Sequence, residues 1–128
     1  MTPIVFINSK QVPFIWQIMN GKKLWETRNR DTLGRVVGKR VFLAETGNGK
    51  PVVRCSAELC RAIQINNPDV WDGLREDTCI PVGNKYDWKP ETKVKYIYFI
   101  RKVQKVKPFS PPEGIRHGRV WMEYEEEE

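Results

Sequence analysis

The chain has 128 residues, 40% hydrophobic and 30% charged, which is the composition of one globular domain with its own core. Its cysteines, Cys55, Cys60 and Cys79, are odd in number and form no Cys-x-x-Cys pair, so neither a disulfide framework nor a zinc site is predicted. Because there is no apolar run of about 18 residues and no signal-peptide pattern at the start, we expect a cytoplasmic protein without metal, cofactor or membrane partner.

The charge of the chain is unevenly distributed. The net charge is +6, yet five of the 16 carboxylates lie within residues 123–128, so residues 1–122 carry 22 basic and 11 acidic groups. We therefore predict one domain over 1–122 and an acidic tail over 123–128. A body this basic favours a polyanionic partner, with a surface tuned for solubility as the alternative. The tail is either disordered or folded over the basic face, where it competes with anions.

Hydrophobic periodicity predicts a strand, a helix and then further strands in the first half of the chain. Apolar residues between 14 and 19 recur at helical spacing within 9–20, and Gly21 follows where a helix-ending glycine is expected. The segment 29–39 is a basic, turn-rich loop. The predicted strands here are 3–7, 24–28, 40–44 and 51–65.

The second half of the chain begins with a predicted insertion over 66–92. Asn67 before Pro68 is a helix-start signal, and the polar stretch 83–92 is predicted to be a loop. This order of elements predicts an α+β domain: a mostly antiparallel sheet, curled into a partly closed barrel, with the first helix across one end. The remaining predicted segments are a strand over 94–103, a proline-rich elbow over 107–112 and a last strand over 119–124.

The segment after the predicted helix carries a family pattern. Its residues Gly21, Lys23, Glu26 and Arg28 form Gly-x-Lys-x-x-Glu-x-Arg, which resembles the signature of the ASCH family. The match covers most of the chain outside the insertion. The resemblance implies a PUA-like fold, a cleft beside the 24–28 strand, and binding of RNA or nucleosides. Further matching segments, in the family's order, are Lys10-Gln11 with Pro13, the glycine-led strand 38–44, 96–108 ending at a proline, and Gly118-x-x-Trp121.

The motif strand can also be interpreted from its residues alone. Successive side chains of a strand alternate, so Glu26 and Arg28 share one face. Trp25 and Thr27 then point to the other face, where we expect Trp25 to pack in the core. Lys23, at the start of the strand, can swing toward Glu26. A carboxylate between two cations stays ionised, and the cations stay available to a phosphate or a base carbonyl. The alternative is a structural ion-pair cluster that fixes the barrel mouth.

Basic and aromatic residues around the motif extend the predicted site. On single-stranded nucleic acid, cations follow the phosphates while aromatic rings stack on bases. Because Tyr86 and Trp88 lie in a polar loop, they are preferred over Trp16 for stacking, with core packing as the alternative for each ring. His117, the lone imidazole, and its neighbour Arg116 are assigned to the lip of the cleft, with an incidental histidine as the alternative. The predicted ligand-binding residues are Lys10, Gln11, Lys22, Lys23, Glu26, Arg28, Arg30, Arg35, Lys39, Arg40, Tyr86, Trp88, Arg116 and His117.

Two functions follow as hypotheses. The first is a binding module that holds RNA, other single-stranded nucleic acid, or a free nucleoside or nucleotide in the basic cleft. The second is a small hydrolase of modified nucleosides or RNA. Some bacterial members of the family resemble amidohydrolases of acetylated cytidine, which use a Lys and a Thr on this strand. Lys23 matches that lysine, but Glu26 replaces the threonine. A hydrolase would therefore use Glu26 to activate water and Lys23 to stabilise the oxyanion.

Overall fold

The computed structural model describes the backbone of residues 1–113, 116–117 and 120–126, and the side chains of all of these except 116 and 117. Within these residues, three short α-helices accompany the sheet: α1 (Phe14–Met19), α2 (Pro68–Gly73) and α3 (Arg75–Thr78). A 3-10 turn covers Gly34–Val36. The strands are β1 (Thr2–Asn8), β2 (Trp25–Arg28), β3 (Arg40–Thr46), β4 (Val52–Ile65), β5 (Lys95–Phe109), β6 (Arg116–His117) and β7 (Trp121–Tyr124).

The strands form one seven-stranded sheet in the order β2-β5-β4-β3-β1-β7-β6. Strands β1 and β3 are parallel, and every other neighbouring pair is antiparallel. The register of β4 against β5 shifts at three places, and such bulges increase the local twist of a sheet. The predicted α+β fold with a mostly antiparallel, partly closed barrel is confirmed.

Both faces of the sheet carry apolar clusters. The larger cluster includes Ile15 and Ile18 of α1 together with Leu43 and Tyr98 of the sheet, all of them buried. Trp71 of α2 is buried in the same cluster, so the 66–92 insertion packs onto the main core. The smaller cluster contains Ile4, Phe6, Ala44, Val53 and Met122. Cys55 is buried, Cys60 and Cys79 are half-buried, and all three are free thiols as predicted.

Local sequence signals explain where the helices begin and end. The Asn67 side chain accepts a hydrogen bond from the Asp69 N–H at 2.7 Å, and Pro68 occupies the first helical turn, so α2 starts as predicted. Gly21 follows α1 with φ +74°, a conformation that suits glycine. Helix α1 begins only at Phe14, later than the start of the predicted 9–20 segment. Pro13 disfavours a helical backbone at the residue before it, Val12, so the helix cannot start earlier.

One predicted boundary near the end of the chain differs from the structure. Strand β5 continues through Pro108 to Phe109, where an elbow was predicted from residue 107. Strand β2 pairs with β5 only over Tyr96–Phe99, so around Pro108 the paired neighbour of β5 is β4, on one side. Proline is tolerated there because its missing N–H removes no hydrogen bond to β2. Strand β7 ends at Tyr124, as predicted for the last strand, so Glu123 and Tyr124 of the segment assigned to the tail belong to the sheet. In the described part of the chain, no helix is long and apolar enough to cross a membrane.

Candidate functional site

A cavity of about 440 Å³ opens beside β2. Strand β2 supplies one wall, the ends of the paired strands β1 and β3 supply a second, and the insertion supplies a third. The walls bring together three cationic side chains and one carboxylate. The residues that line the cavity are Phe6, Ile7, Asn8, Phe14, Lys23, Glu26, Thr27, Arg28, Asn29, Thr46, Tyr86 and Lys95.

Glu26 is held in a fixed orientation on the β2 wall. The residue is 6% exposed, and its Oε2 accepts a hydrogen bond from Nη2 of Arg28 at 3.1 Å. Its Oε1 accepts from the backbone N–H of Thr27 at 3.0 Å and lies 4.0 Å from Nζ of Lys23. Both carboxylate oxygens are therefore anchored while the group lines the cavity.

Lys23 is buried, with 2% of its surface exposed. Its Nζ donates a hydrogen bond to the Thr78 carbonyl at 2.6 Å and lies 4.4 Å from the centre of the Phe14 ring. Burial lowers the pKa of Lys23 below its ordinary value, and the nearby Glu26 charge opposes this shift only in part. The Glu26 carboxylate therefore offsets only part of the cost of burying the charged Lys23 amine in the cavity wall.

Arg28 links the site to β1. Its Nη2 donates to the Phe6 carbonyl at 3.1 Å as well as to Glu26. Its Nε is buried and has no hydrogen-bond partner among the described residues. The guanidinium is half-buried and lines the cavity, which suits the recognition of an anion or a carbonyl oxygen.

Lys95 and Asn29 are site residues that were not predicted. Nζ of Lys95 donates to Oδ1 of Asn29 at 2.7 Å and to the Tyr86 carbonyl at 3.0 Å, so this buried lysine joins the loop after β2 to the insertion. Burial lowers the pKa of Lys95, and the charge of Asp87 opposes that shift. The sequence signal for Lys95 was a lysine within a largely apolar predicted strand. Its partners, Asn29 and Tyr86, lie 66 and 9 residues away along the chain, so that signal did not identify them.

The predicted site residues divide into two groups. Lys23, Glu26, Arg28 and Tyr86 line the cavity, and the Tyr86 ring lies 5.9 Å from that of Phe14. Thr27, which was predicted to point away, also contributes to the lining. The exposed residues outside the lining are Lys10, Gln11, Lys22, Arg30, Arg35 and Lys39.

The other predicted residues have different surroundings. Arg40 donates to Oγ of Ser56 and to the Lys102 carbonyl, both at 2.7 Å, and does not line the cavity. Trp88 is half-buried with its ring 6.2 Å from that of Trp71. The side chains of Arg116 and His117 lie outside the described residues. The cavity therefore gathers the motif residues but not most of the surrounding cations.

No protein-family model matches the sequence, and no curated protein matches it either. Solved structures do match: a serine-to-alanine mutant of ZmASCH from Zymomonas mobilis superposes with a TM-score of 0.75 at 17% identity, over 97% of this chain and 88% of that one. The fold is that of an ASCH domain.

Two further structures of ZmASCH agree with this ASCH fold. A crystal structure of ASCH from Zymomonas mobilis gives a TM-score of 0.69 at 20% identity, covering 85% of this chain and 73% of that one. A tyrosine-to-phenylalanine mutant gives 0.68 at the same identity, covering 85% and 75%. The resemblance to the ASCH family seen in the sequence is confirmed at the level of the fold. At 17–20% identity the similarity shows the fold alone, so the function is inferred from the residues of the cavity.

Proposed function

We propose that this ASCH-fold domain binds one nucleotide unit, either free or as part of single-stranded RNA, in the cavity beside β2. The observation that carries the proposal is the composition of the cavity wall. Lys23, Arg28 and Lys95 face the same space as a single carboxylate, Glu26, and an aromatic ring, Tyr86.

The size of the cavity supports a ligand of this kind. Small-molecule sites in proteins typically enclose about 300–1,000 Å³, and the cavity measures about 440 Å³. A nucleoside or nucleotide fits such a volume, whereas a nucleic-acid duplex does not. If the ligand is RNA, one nucleotide must therefore enter the cavity from a single strand, as RNA-binding domains commonly require.

The polar groups of the cavity match both parts of a nucleotide. Arginine and lysine donors bind phosphate or base carbonyl oxygens, and a carboxylate accepts hydrogen bonds from base N–H groups. Because Arg28 and the Thr27 N–H hold Glu26 in place, its remaining acceptor positions are oriented before a ligand binds. Tyr86 supplies an apolar surface for the base or the sugar.

A pair of arginine variants tests the proposal. Arg28→Gln removes a cation from the cavity, and Arg30→Gln removes the same charge from an exposed position outside it. Binding of nucleoside monophosphates and short oligouridylates should be measured calorimetrically at low salt. We expect Arg28→Gln to weaken binding at least ten-fold and Arg30→Gln to weaken it less than three-fold, since a hydrogen bond that involves a charged group contributes about 1.5–3 kcal/mol. Equal effects, or no binding to the unmodified protein, contradict the proposal.

Hydrolysis of a modified nucleoside or of RNA is the second candidate function. The observation that favours it is the lowered pKa of the buried Lys23 amine, 4.0 Å from a carboxylate in the same cavity. In such a reaction Glu26 accepts a proton from water, the water oxygen attacks the acyl carbon or phosphorus, and Lys23 stabilises the developing oxyanion. The bond from that carbon or phosphorus to the leaving nitrogen or oxygen then breaks, and the leaving atom takes the proton from Glu26. We rank this function second because both Glu26 oxygens already accept hydrogen bonds, which suits a fixed acceptor.

Turnover assays separate the two functions. The protein should be incubated with acetylated cytidine, other acylated nucleosides and short RNAs, and the products separated by chromatography. A hydrolase predicts product formation that is lost in Lys23→Ala and in Glu26→Gln and kept in Lys22→Ala, where an exposed neighbouring lysine is removed. No turnover across this panel counts against the hydrolase and leaves the binding function standing.

A further inference from the structure

A second cluster of side chains lies at the same end of the sheet as the cavity. Trp16 of α1 is 44% exposed, and its indole Nε1 donates to Oε2 of Glu45 at 3.1 Å. Nε of Arg54 donates to the other oxygen of Glu45 at 3.0 Å, and its guanidinium lies 5.0 Å from the centre of the Trp16 ring. Glu45 thus fixes both the tryptophan and the arginine.

The cluster is continuous with the cavity through the ends of β1 and β3. Glu45 immediately precedes Thr46, which lines the cavity and pairs in register with Asn8. Asn8 lines the cavity as well, and its Oδ1 accepts from the backbone N–H of Lys10 at 3.0 Å. The loop after Thr46 packs closely on Lys10. A Cβ added at Gly47 would lie only 2.8 Å from the Lys10 Cβ, so there is no room for a side chain at that position.

The cluster holds a tryptophan ring that is both partly exposed and fixed in orientation. A large aromatic ring is kept partly in solvent, with its polar atom satisfied and an arginine over it, so little side-chain entropy remains to be lost on binding. Lys10 and Lys50, the latter in the loop between β3 and β4, are exposed. An oriented tryptophan, with exposed lysines on the loops that join β1 to α1 and β3 to β4, fits a stacked base flanked by phosphates.

We infer that Trp16 and Arg54, with Lys10 and Lys50, form a second subsite that stacks a base of a single-stranded oligonucleotide. The inference rests on the proposed function, because it places one nucleotide in the cavity and another nucleotide of the same strand on Trp16. It deepens that function by naming the ligand as an oligonucleotide several nucleotides long. The cavity alone accounts for the binding of a mononucleotide.

A length series of uridylates tests the inference. Uridine monophosphate and oligouridylates of about 3, 6 and 10 nucleotides should be titrated into the protein at low salt. We expect affinity to rise with length, and Trp16→Leu to weaken the longest oligomer about 5-fold to 150-fold, the range that corresponds to loss of one base–aromatic stack. Mononucleotide binding should be unchanged in Trp16→Leu, and Trp16→Phe should keep most of the oligomer affinity.

Tryptophan fluorescence provides an independent readout and Val70→Ser the matched control. The longest oligouridylate should quench the unmodified protein more than Trp16→Phe, because a stacked base quenches the indole it covers. Val70 is 49% exposed on α2, so Val70→Ser alters an equally exposed apolar residue outside the cluster and should bind like the unmodified protein. If oligomers and the mononucleotide bind equally, or if Trp16→Leu changes neither affinity nor quenching, the second subsite is excluded and the cavity proposal stands. If neither ligand binds, both proposals fail.

Discussion

Lys23 shows how a single buried charge can be kept in a cavity wall. Removing a lysine from water disfavours its charged form, and only partners within the protein offset that cost. The Thr78 carbonyl accepts its hydrogen bond, the Phe14 ring lies against it, and the Glu26 carboxylate is 4.0 Å away. Since Thr78 belongs to α3 and Phe14 to α1, the position of the amine depends on three separate parts of the chain.

The lowered pKa of Lys23 predicts a particular dependence of stability on pH. Between the lowered folded-state pKa and the unfolded value of about 10.5, the unfolded chain binds more protons than the folded one, so this lysine makes stability rise with pH. Lys23→Met lacks that rise. In thermal melts from pH 7 to pH 10.5, the unmodified protein should therefore gain stability relative to Lys23→Met as the pH increases. Lys22→Met, at an exposed position, is the control and should follow the unmodified protein; parallel curves for all three contradict the account.

Glu26 distinguishes a ligand-binding carboxylate from a purely structural one. In the structure Arg28 also donates to Phe6, and Lys23 also donates to Thr78, so each cation keeps a partner without Glu26. We expect Glu26→Gln to melt within a few degrees of the unmodified protein while its ligand affinity changes. If Glu26 instead neutralises two dependent cations, its loss costs about 3–5 kcal/mol. A fall in melting midpoint of about 10 °C or more, with unchanged binding, indicates that structural role.

At the scale of elements, the insertion is organised around Asp87. This buried carboxylate accepts from Trp71 Nε1 at 2.7 Å, from the backbone N–H of Gly83 and of Trp88 at 2.8 Å each, and forms an ion pair with Arg75 at 3.1 Å. Burial by itself raises the pKa of Asp87, but these hydrogen bonds outweigh it and hold the pKa well below its usual range. Asp87 therefore fixes the segment that carries Tyr86 to the cavity.

The insertion should be destabilised by Asp87→Asn. We expect the melting midpoint to fall by roughly 10 °C at neutral pH, because hydrogen bonds to a charged group contribute about 1.5–3 kcal/mol and Arg75 loses a partner. A group with a depressed pKa stabilises the fold above its unfolded pKa of about 3.8 and loses that contribution as the pH falls below it. The difference between the two proteins should thus be constant from pH 7 to about pH 5 and shrink below pH 4. A difference that is independent of pH is inconsistent with this role.

Local patterns predicted the elements better than they predicted the contacts between them. Alternation placed Glu26 and Arg28 on one face of β2, and the Asn67–Pro68 signal located α2, because both depend on neighbours in sequence. The partners of Lys23 and Lys95 could not be predicted this way, since Thr78 is 55 residues from Lys23 and Asn29 is 66 residues from Lys95. Such contacts are set by how the insertion packs on the sheet.

At the scale of the whole molecule, net positive charge should control association. Residues 1–122 carry twice as many basic as acidic groups, 22 against 11 once the five carboxylates of 123–128 are set apart from the total of 16. Exposed cations outside the cavity and the second subsite, such as Arg30 and Lys39, add to the positive potential without lining the cavity. They therefore favour an extended anionic partner over a small neutral one.

Salt dependence measures this contribution. Affinity for an oligouridylate should fall steeply between about 50 and 200 mM salt, because each phosphate contact releases counterions. Uridine monophosphate should show a much smaller dependence. Deletion of residues 125–128, which leaves β7 intact, should raise oligomer affinity modestly by removing acidic charge. Equal salt slopes for the two ligands indicate that the exposed cations play no part in binding.

The position of a bound nucleotide on the protein decides whether the cavity beside β2 is the binding site. Uridine monophosphate should be titrated at low salt into isotopically labelled protein, with backbone amide shifts followed by NMR. We expect saturable shifts concentrated at Thr27, Arg28, Asn29 and Tyr86, which surround the cavity. These shifts should be lost in Arg28→Gln and kept in Arg30→Gln. Shifts confined to residues outside the cavity, such as Arg40 and Lys102, or the absence of any saturable shift with every nucleoside monophosphate tried, would contradict binding in the cavity.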